Sequence, residues 1–299
     1  DVKGYVGNFT TIVKSERGAL DLKHGAAVIA TGAEVYNPTE YLYGKDERVM
    51  THLELEERIS LGDERIIKAR SIVMIQCVGC RNEERNYCSR ICCSESIKNA
   101  LKLKELNPEM EIYILFRDMR TYGFNENYYR EAADRDIRFI RYEPQDSPQV
   151  EPGASDDGRP VLKVSLPDYV LGKRIEIDAD ALALAAAVVP AGDRKEIAGL
   201  FKVALGPDEF FQEAHVKLRP VDFGAEGVYL CGIAHYPKLL SETISQAYGA
   251  AGRAMTLLSN DTVTASGSVC GVNEQRCMGC GACVSACTYG AIELRDTKK

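Results

Sequence analysis

The 299 residues carry 37 Lys and Arg against 44 Asp and Glu, a net charge of -7. That balance, with no long basic run, argues against a nucleic-acid surface and points to proteins as partners. No apolar run approaches the roughly 20 residues a membrane-crossing helix needs, and 45% hydrophobic content suits a globular chain with two or three cores.

Residues 5–15 (YVGNFTTIVKS) alternate as a strand does, with a turn through Glu16, Arg17 and Gly18. AAVIATGAE, residues 26–34, is a β-branched strand running into Thr31 and Gly32. It resembles the strand that closes the flavin-binding half of two-dinucleotide-domain flavoproteins; a strand before a small-residue turn is also common in its own right. Residues 49–60 predict a short helix with Thr51 as N-cap and Glu54 in capping-box position, which leaves Glu54 and Glu56 on a solvated surface.

The stretch SIVMIQCVGCRNEERNYCSRICCSESIKNALKLKEL, residues 71–106, dominates the chain. It opens as a buried strand and ends as a helix with Ile97, Ala100, Leu101 and Leu103 on one side. In a nucleotide-binding domain, that strand-to-helix turn carries glycines that admit a pyrophosphate. Here it carries five cysteines. Thiolates select iron–sulfur clusters, zinc or copper(I), and a helix N-terminus favours negative charge. Cys77, Cys88, Cys92 and Cys93 form C-x10-C-x3-CC, Cys88 and Cys92 being one turn apart if the helix has begun, and Cys80 is a spare thiol. A cluster is the favoured reading, with zinc, a redox disulfide and inert core thiols as alternatives.

EIYILF (111–116) follows as the second strand of a βαβ unit, then a helix from about 126 to 135 and IRFIR (137–141). Residues 143–160, rich in Pro, Asp, Ser and Gly, predict an exposed loop, and 161–166 with 173–178 a hairpin. ADALALAAAVVP (179–190) is expected to return the chain to the first domain. EGVYLCG (226–232) is a short strand, and 241–258 a long helix. Cys231 within the strand fits a small buried hydrophobe. His235 either borders a cofactor or is an ordinary surface histidine.

CMGCGACVSAC then sets Cys277, Cys280, Cys283 and Cys287 at C-x2-C-x2-C-x3-C, the bacterial ferredoxin run. Thr288 stands where proline is usual, and no second run follows. Either Cys287 closes its own cluster or a fourth ligand lies elsewhere, Cys270 being one candidate. Eleven cysteines, mostly in two clusters, fit metal cofactors in a reducing compartment better than a disulfide framework, so a cytoplasmic chain is expected. Opening at Asp1, it is also expected to be part of a longer polypeptide.

The chain resembles the A subunit of heterodisulfide reductase and its bacterial relatives. The segments that carry the resemblance are IQCVGCRNE…YCSRICC with SIKNALKLKE, IYILFRDMRTYG, FFQEAHVKLRPVD, GVYLCG…PK…SETISQA and the ferredoxin run. It implies an α/β fold like thioredoxin reductase, a FAD domain interrupted by a pyridine-nucleotide-like domain, with a C-terminal ferredoxin-like module. The expected divisions are 1–68 (FAD domain, its ADP-binding loop missing), 69–180 (cluster-bearing NAD(P)-like domain), 181–262 (FAD domain, return segment) and 263–299 ([4Fe-4S] module).

By the same resemblance, one [4Fe-4S] cluster maps onto Cys77, Cys88, Cys92 and Cys93 and another onto the C-terminal run. A lysine near the flavin N5 maps onto Lys98, in a catalytic role, with Glu54 or Glu56 as acidic partner. FAD contacts map onto Thr31, Gly32, Gly232, Lys238, Thr243, Ile244 and Gln246. The implied function is flavin-based electron bifurcation between ferredoxin and a disulfide or other acceptor. The implied partners are other subunits of such a complex, ferredoxin, and a hydrogenase or formate dehydrogenase. Cys80 departs from the family, where serine is common. Alternative readings are an NAD(P)H-dependent flavoprotein reductase, disfavoured because cysteines occupy the phosphate loop, and a non-catalytic electron-wiring or zinc-stabilised protein.

Overall fold

The computed structural model describes residues 1–16, 18–264 and 270–295; Arg17 of the expected turn and parts of the 263–299 module lie outside them. The chain forms two units, Asp1–Glu34 with Pro190–Lys299, and Val35–Val189.

The first unit begins with an antiparallel meander of β1 (Val2–Tyr5), β2 (Asn8–Ser15) and β3 (Gly18–His24), so the single expected strand is the centre of three. β4 (Ala27–Ile29) follows, and a three-residue strand β5 (Ala33–Val35) lies where the chain leaves this unit.

The second unit is built on a parallel sheet. It comprises β6 (Val49–Thr51), α1 (His52–Leu61), α2 (Glu64–Ile67), β7 (Ser71–Val78), α3 (Cys92–Leu106), β8 (Glu111–Phe116), α4 (Asn125–Asp134) and β9 (Ile137–Arg141). These are followed by β10 (Gln149–Ala154), β11 (Pro160–Asp168), β12 (Lys173–Ala179) and β13 (Ala181–Ala186). The sheet order is β6-β13-β7-β8-β9, with every pair parallel. Period-two alternation sorts its residues into two cores. Ile72, Met74, Ile112, Ile114, Ala181 and Ala183 face the helices, meeting Leu55, Ile97 and Leu103. Val73, Ile75, Leu115, Leu182 and Leu184 face the antiparallel sheet β10-β11-β12, meeting Val164, Leu166 and Ile177. With both faces covered, β7 must be apolar nearly throughout, as it is.

Three expectations are corrected here. β13 does not return the chain to the first domain: it lies between β6 and β7, and its alternating small and large residues suit one helical and one sheet layer. The divisions therefore fall near 35 and 189 instead of 69 and 180, because β6 and α1 also belong to this sheet and its helical layer. Residues 143–160 are not all loop, since β10 pairs with β11 as an edge strand that tolerates Pro152.

Beyond β14 (Val188–Pro190), the first unit resumes with α5 (Arg194–Phe201), β15 (Val228–Leu230), α6 (Leu240–Leu258) and α7 (Ala282–Ala286). β15 pairs in parallel with β4, Leu230 opposite Ile29. Phe9, Ile29, Phe211, Phe223 and Leu230 form its core. Residues 270–295 group with this unit.

Candidate functional site

The cysteine turn follows β7 directly. Cys77 takes φ 63° and Gly79 φ 79°, folding the chain back until the Cys80 N–H approaches the Cys77 carbonyl at 3.5 Å. A bond from the Arg81 N–H to the Tyr87 carbonyl, 3.1 Å, closes the loop that follows. Arg90, at φ 63°, breaks any helical path, and α3 starts at Cys92. Cys88 therefore precedes the helix and is not one helical turn below Cys92.

Cys80, Cys92 and Cys93 are each 3% exposed, while Cys77 and Cys88 are partly exposed. The Cys93 thiol donates to the Asp118 carbonyl at 3.8 Å, and the Cys88 sulfur accepts the Arg90 N–H at 3.3 Å. Arg81, held by Asp118 at 2.5 Å, reaches the Cys77 sulfur at 3.8 Å. The thiols act in pairs. The Cys80 thiol, then burial, drives Cys77 upward while Cys77 draws Cys80 down to about 7. Cys93, then burial, raises Cys92, and Cys92 lowers Cys93.

Among the described residues no three Cys, His, Asp or Glu side chains converge as a metal-holding group, so the thiols are paired instead of spread about a centre. In composition the donor set fits a soft metal, with five sulfurs at one turn beside the N-terminus of α3 and the partly buried cation of Arg81.

Beneath the turn lies a polar network that the sequence did not announce. Gln76, His52, Ser96 and Asn99 are all at most 2% exposed. Ser96 Oγ receives Gln76 Nε2–H, sits 2.7 Å from His52 Nε2 and donates to the Cys92 carbonyl at 2.9 Å. Asn99 Nδ2 lies 3.3 Å from His52 Nδ1. With Ser96 donating to Cys92, His52 is neutral with its proton on Nε2, and burial followed by the Lys98 charge lowers its pKa to about 3. A single histidine in a helical pattern gave no signal of this.

The acidic candidates near Lys98 separate cleanly. Glu54 closes the capping box, its Oε2 accepting the Thr51 N–H at 2.6 Å, and its Oε1 accepts the Tyr43 hydroxyl at 3.0 Å. Glu56 pairs with Lys98 at 2.5 Å.

In the first unit, β4 and β15 end side by side, so Thr31–Gly32 and Gly232 share the C-terminal edge of the parallel pair, where such sheets bind ligands. Gly32 has φ 76° and nothing within 4 Å of where a Cβ would stand; Gly232 has φ 77°. Gln246 Oε1 accepts the Gly232 N–H at 2.9 Å, and buried Lys238 donates to the Gly232 and Tyr236 carbonyls at 2.7 and 2.8 Å. Gln246 Nε2 also meets His235 Nδ1, whose Nε2 faces Glu213. Lys238, Gln246 and His235 thus brace the turn, and His235 is no mere surface group. Thr243 approaches Gly232 from α6, while Ile244 is 49% exposed.

In the ferredoxin run, Gly279 and Gly281 adopt positive φ around α7. Backbone N–H groups of Ala291, Tyr289 and Gly290 lower the Cys287 pKa, as suits a thiolate ligand. Cys277, Cys280 and Cys283 are exposed, as is Cys270.

Residues 271–293 match the family described as 4Fe-4S binding domain, and this run is such a domain. Over 293 residues the chain is 34% identical to the A subunit of the H(2):CoB-CoM heterodisulfide,ferredoxin reductase of Methanothermobacter thermautotrophicus, covering 93% of this chain and 43% of that protein. It is 35% identical to the A subunit of the H(2)/formate:CoB-CoM heterodisulfide,ferredoxin reductase of Methanococcus maripaludis, covering 93% and 44%. The chain belongs to the family of heterodisulfide reductase A subunits. It spans less than half the length of these two relatives. Among solved structures, Lactococcus lactis thioredoxin reductase is similar in fold, with TM-score 0.53 and 15% identity over 86% of this chain and 73% of that one. The thioredoxin-reductase-like fold expected for this family is thereby seen, and among the described residues no helix is long and apolar enough to cross a membrane.

Proposed function

We propose that the chain is the iron–sulfur flavoprotein portion of a heterodisulfide-reductase-like A subunit. In this reading it is an oxidoreductase that splits electron pairs at FAD between ferredoxin and a disulfide or other acceptor. The observation that carries it is the five-thiol turn at the carboxyl end of β7, where a dinucleotide-binding sheet presents its phosphate loop.

Cys77, Cys88, Cys92 and Cys93 hold one [4Fe-4S] cluster, and Cys277, Cys280, Cys283 and Cys287 the other. The open turn at Gly32, the Gly232 turn and the first turn of α6 offer FAD backbone N–H groups and close approach, with Thr31, Thr243 and Ile244 at the same edge. Lys238 and Gln246 serve by fixing Gly232. Bound FAD supplies exchange between one- and two-electron chemistry. Lys98 is the cation that steadies negative charge developing on the flavin, and Glu56, not Glu54, sets its position.

The relatives are named as subunits of reductases acting on H(2) or formate and ferredoxin, which supports the proposed partners: sister subunits, ferredoxin, and a hydrogenase or formate dehydrogenase. Eleven free thiols favour a cytoplasmic setting. The test is anaerobic purification of the longest native polypeptide, with FAD, iron and sulfide counted. FAD and iron beyond the C-terminal cluster are expected, with no bleaching of the flavin by NADH. Iron at the C-terminal run alone, or ready bleaching by NADH, would overturn the reading.

A further inference from the structure

β3 is a free edge of the antiparallel meander. Its residues are exposed up to Lys23, Leu20 at 58% and Leu22 at 44%, and among the described residues no strand pairs with the side of β3 away from β2. What it presents there follows from its neighbours. The Ile12 N–H donates to the Asp1 carbonyl at 2.8 Å and the Asp1 amino group donates to the Ile12 carbonyl at 3.2 Å, so the even-numbered residues of β2 address β1 and the odd-numbered ones address β3. In the β2–β3 register Thr11 is opposite Leu22 and Val13 opposite Leu20, which ties the even-numbered residues of β3 to β2. The backbone N–H and C=O groups of Ala19, Asp21 and Lys23 therefore point outward, with no strand to receive them.

We propose that β3 is a self-recognition edge: a second copy of this chain adds its own β3 antiparallel to it, with Leu22 on the two-fold axis. Backbone direction and charge together select that register. Because only odd-numbered residues offer outward groups, odd must pair with odd, and the axis passes through a residue opposite itself. Centring on Asp21 or on Lys23 sets like charges face to face. Centring on Leu20 or His24 leaves Asp21 and Lys23 without an opposite charge across the edge. Centring on Leu22 places Asp21 of each copy opposite Lys23 of the other, each such pair exchanging both backbone bonds, and brings the two Leu22 side chains together on the opposite face. Among the described residues neither Asp21 nor Lys23 is ion-paired within its own chain, so both are free to pair in this way. Charges on an exposed edge ordinarily block strand addition; here they exclude every register but one. Neither iron nor flavin enters this pairing.

The experiment is sedimentation equilibrium over a concentration series on the longest native polypeptide, as wild type, as Asp21→Lys, as Lys23→Asp, and as an equimolar mixture of the two variants. Both side chains are exposed, so neither substitution is expected to unfold the chain. Wild type is expected to dimerise as its concentration rises. Each variant alone sets two like-charge pairs across the axis, and its self-association should weaken by roughly tenfold or more. In the mixture one chain carries two positive charges at these positions and the other two negative, so a heterodimer of wild-type strength is expected, and its formation also shows that both variants are folded. Wild type monomeric at every concentration, single variants that dimerise as wild type does, or a mixture that stays monomeric would overturn the pairing.

Discussion

Lys98 and Glu56 meet at 2.5 Å across the surface between α3 and α1, both about half exposed. An exposed pair of this kind contributes about 0–1 kcal/mol, because water and salt screen it. Lys98→Ala is therefore expected to leave the melting temperature within a few degrees of wild type, while shifting the reduction potential of the bound flavin. Potentiometry and thermal unfolding on the same preparation check this; an unshifted potential would remove Lys98 from the flavin chemistry.

His52 makes the opposite prediction, of stability without direct redox effect. Burial holds its folded pKa at about 3, below the ordinary value of 6.5. Between these values the unfolded chain binds a proton that the folded chain does not, so stability falls as pH drops below 6.5 and the loss levels off near 3. Each pH unit in that window weakens folding by up to roughly tenfold on account of this group. His52→Asn is expected to cost about 1–3 kcal/mol at pH 7, by leaving Ser96 and Asn99 poorly paired, and to flatten this acid limb. Denaturant unfolding at pH 7.5, 6 and 5 measures both; a parallel limb in the variant would refute the assignment.

Cys92→Ser tests the independence of the two centres. Cys92 is buried at the start of α3, whereas the ferredoxin run lies in the other unit. The variant is expected to lose about four irons and one EPR signal and to keep the C-terminal signal. Loss of both together would show that the two sites are not separate.

What could be read from the sequence follows interaction range. The Thr51–Glu54 capping box spans three residues, and it stands as read. The βαβ run from Ser71 to Phe116 was equally legible, because β-branched runs and helical periodicity are local. The placement of β13 was not, since pairing Leu182 with Val73 across the sheet depends on strand order, which no local pattern encodes. The glycine turns at Gly32 and Gly232 were found as a motif. That Lys238 and Gln246 brace Gly232 emerged only once α6 was set against β15. His52 stayed hidden for the same reason: its partners Ser96 and Asn99 lie over forty residues away.

Gly79 sets the shape of the cysteine turn, and alanine there is expected to damage it. Its φ of 79° lies in the left-handed region, and an added Cβ would stand 2.2 Å from Cδ1 of Tyr36. That ring has little freedom to yield, because the Arg85 guanidinium stacks over it at 4.7 Å and also donates to the Gly79 carbonyl at 3.2 Å. The backbone penalty of about 1–2 kcal/mol and overpacking of about 1–3 kcal/mol act together in Gly79→Ala. Adding Tyr36→Ala should relieve only the steric part. If the turn positions Cys77 for iron, Gly79→Ala loses the proposed second-unit cluster and the double variant regains part of it. Full iron in Gly79→Ala, measured beside its unfolding midpoint, would show that the cluster tolerates a displaced turn.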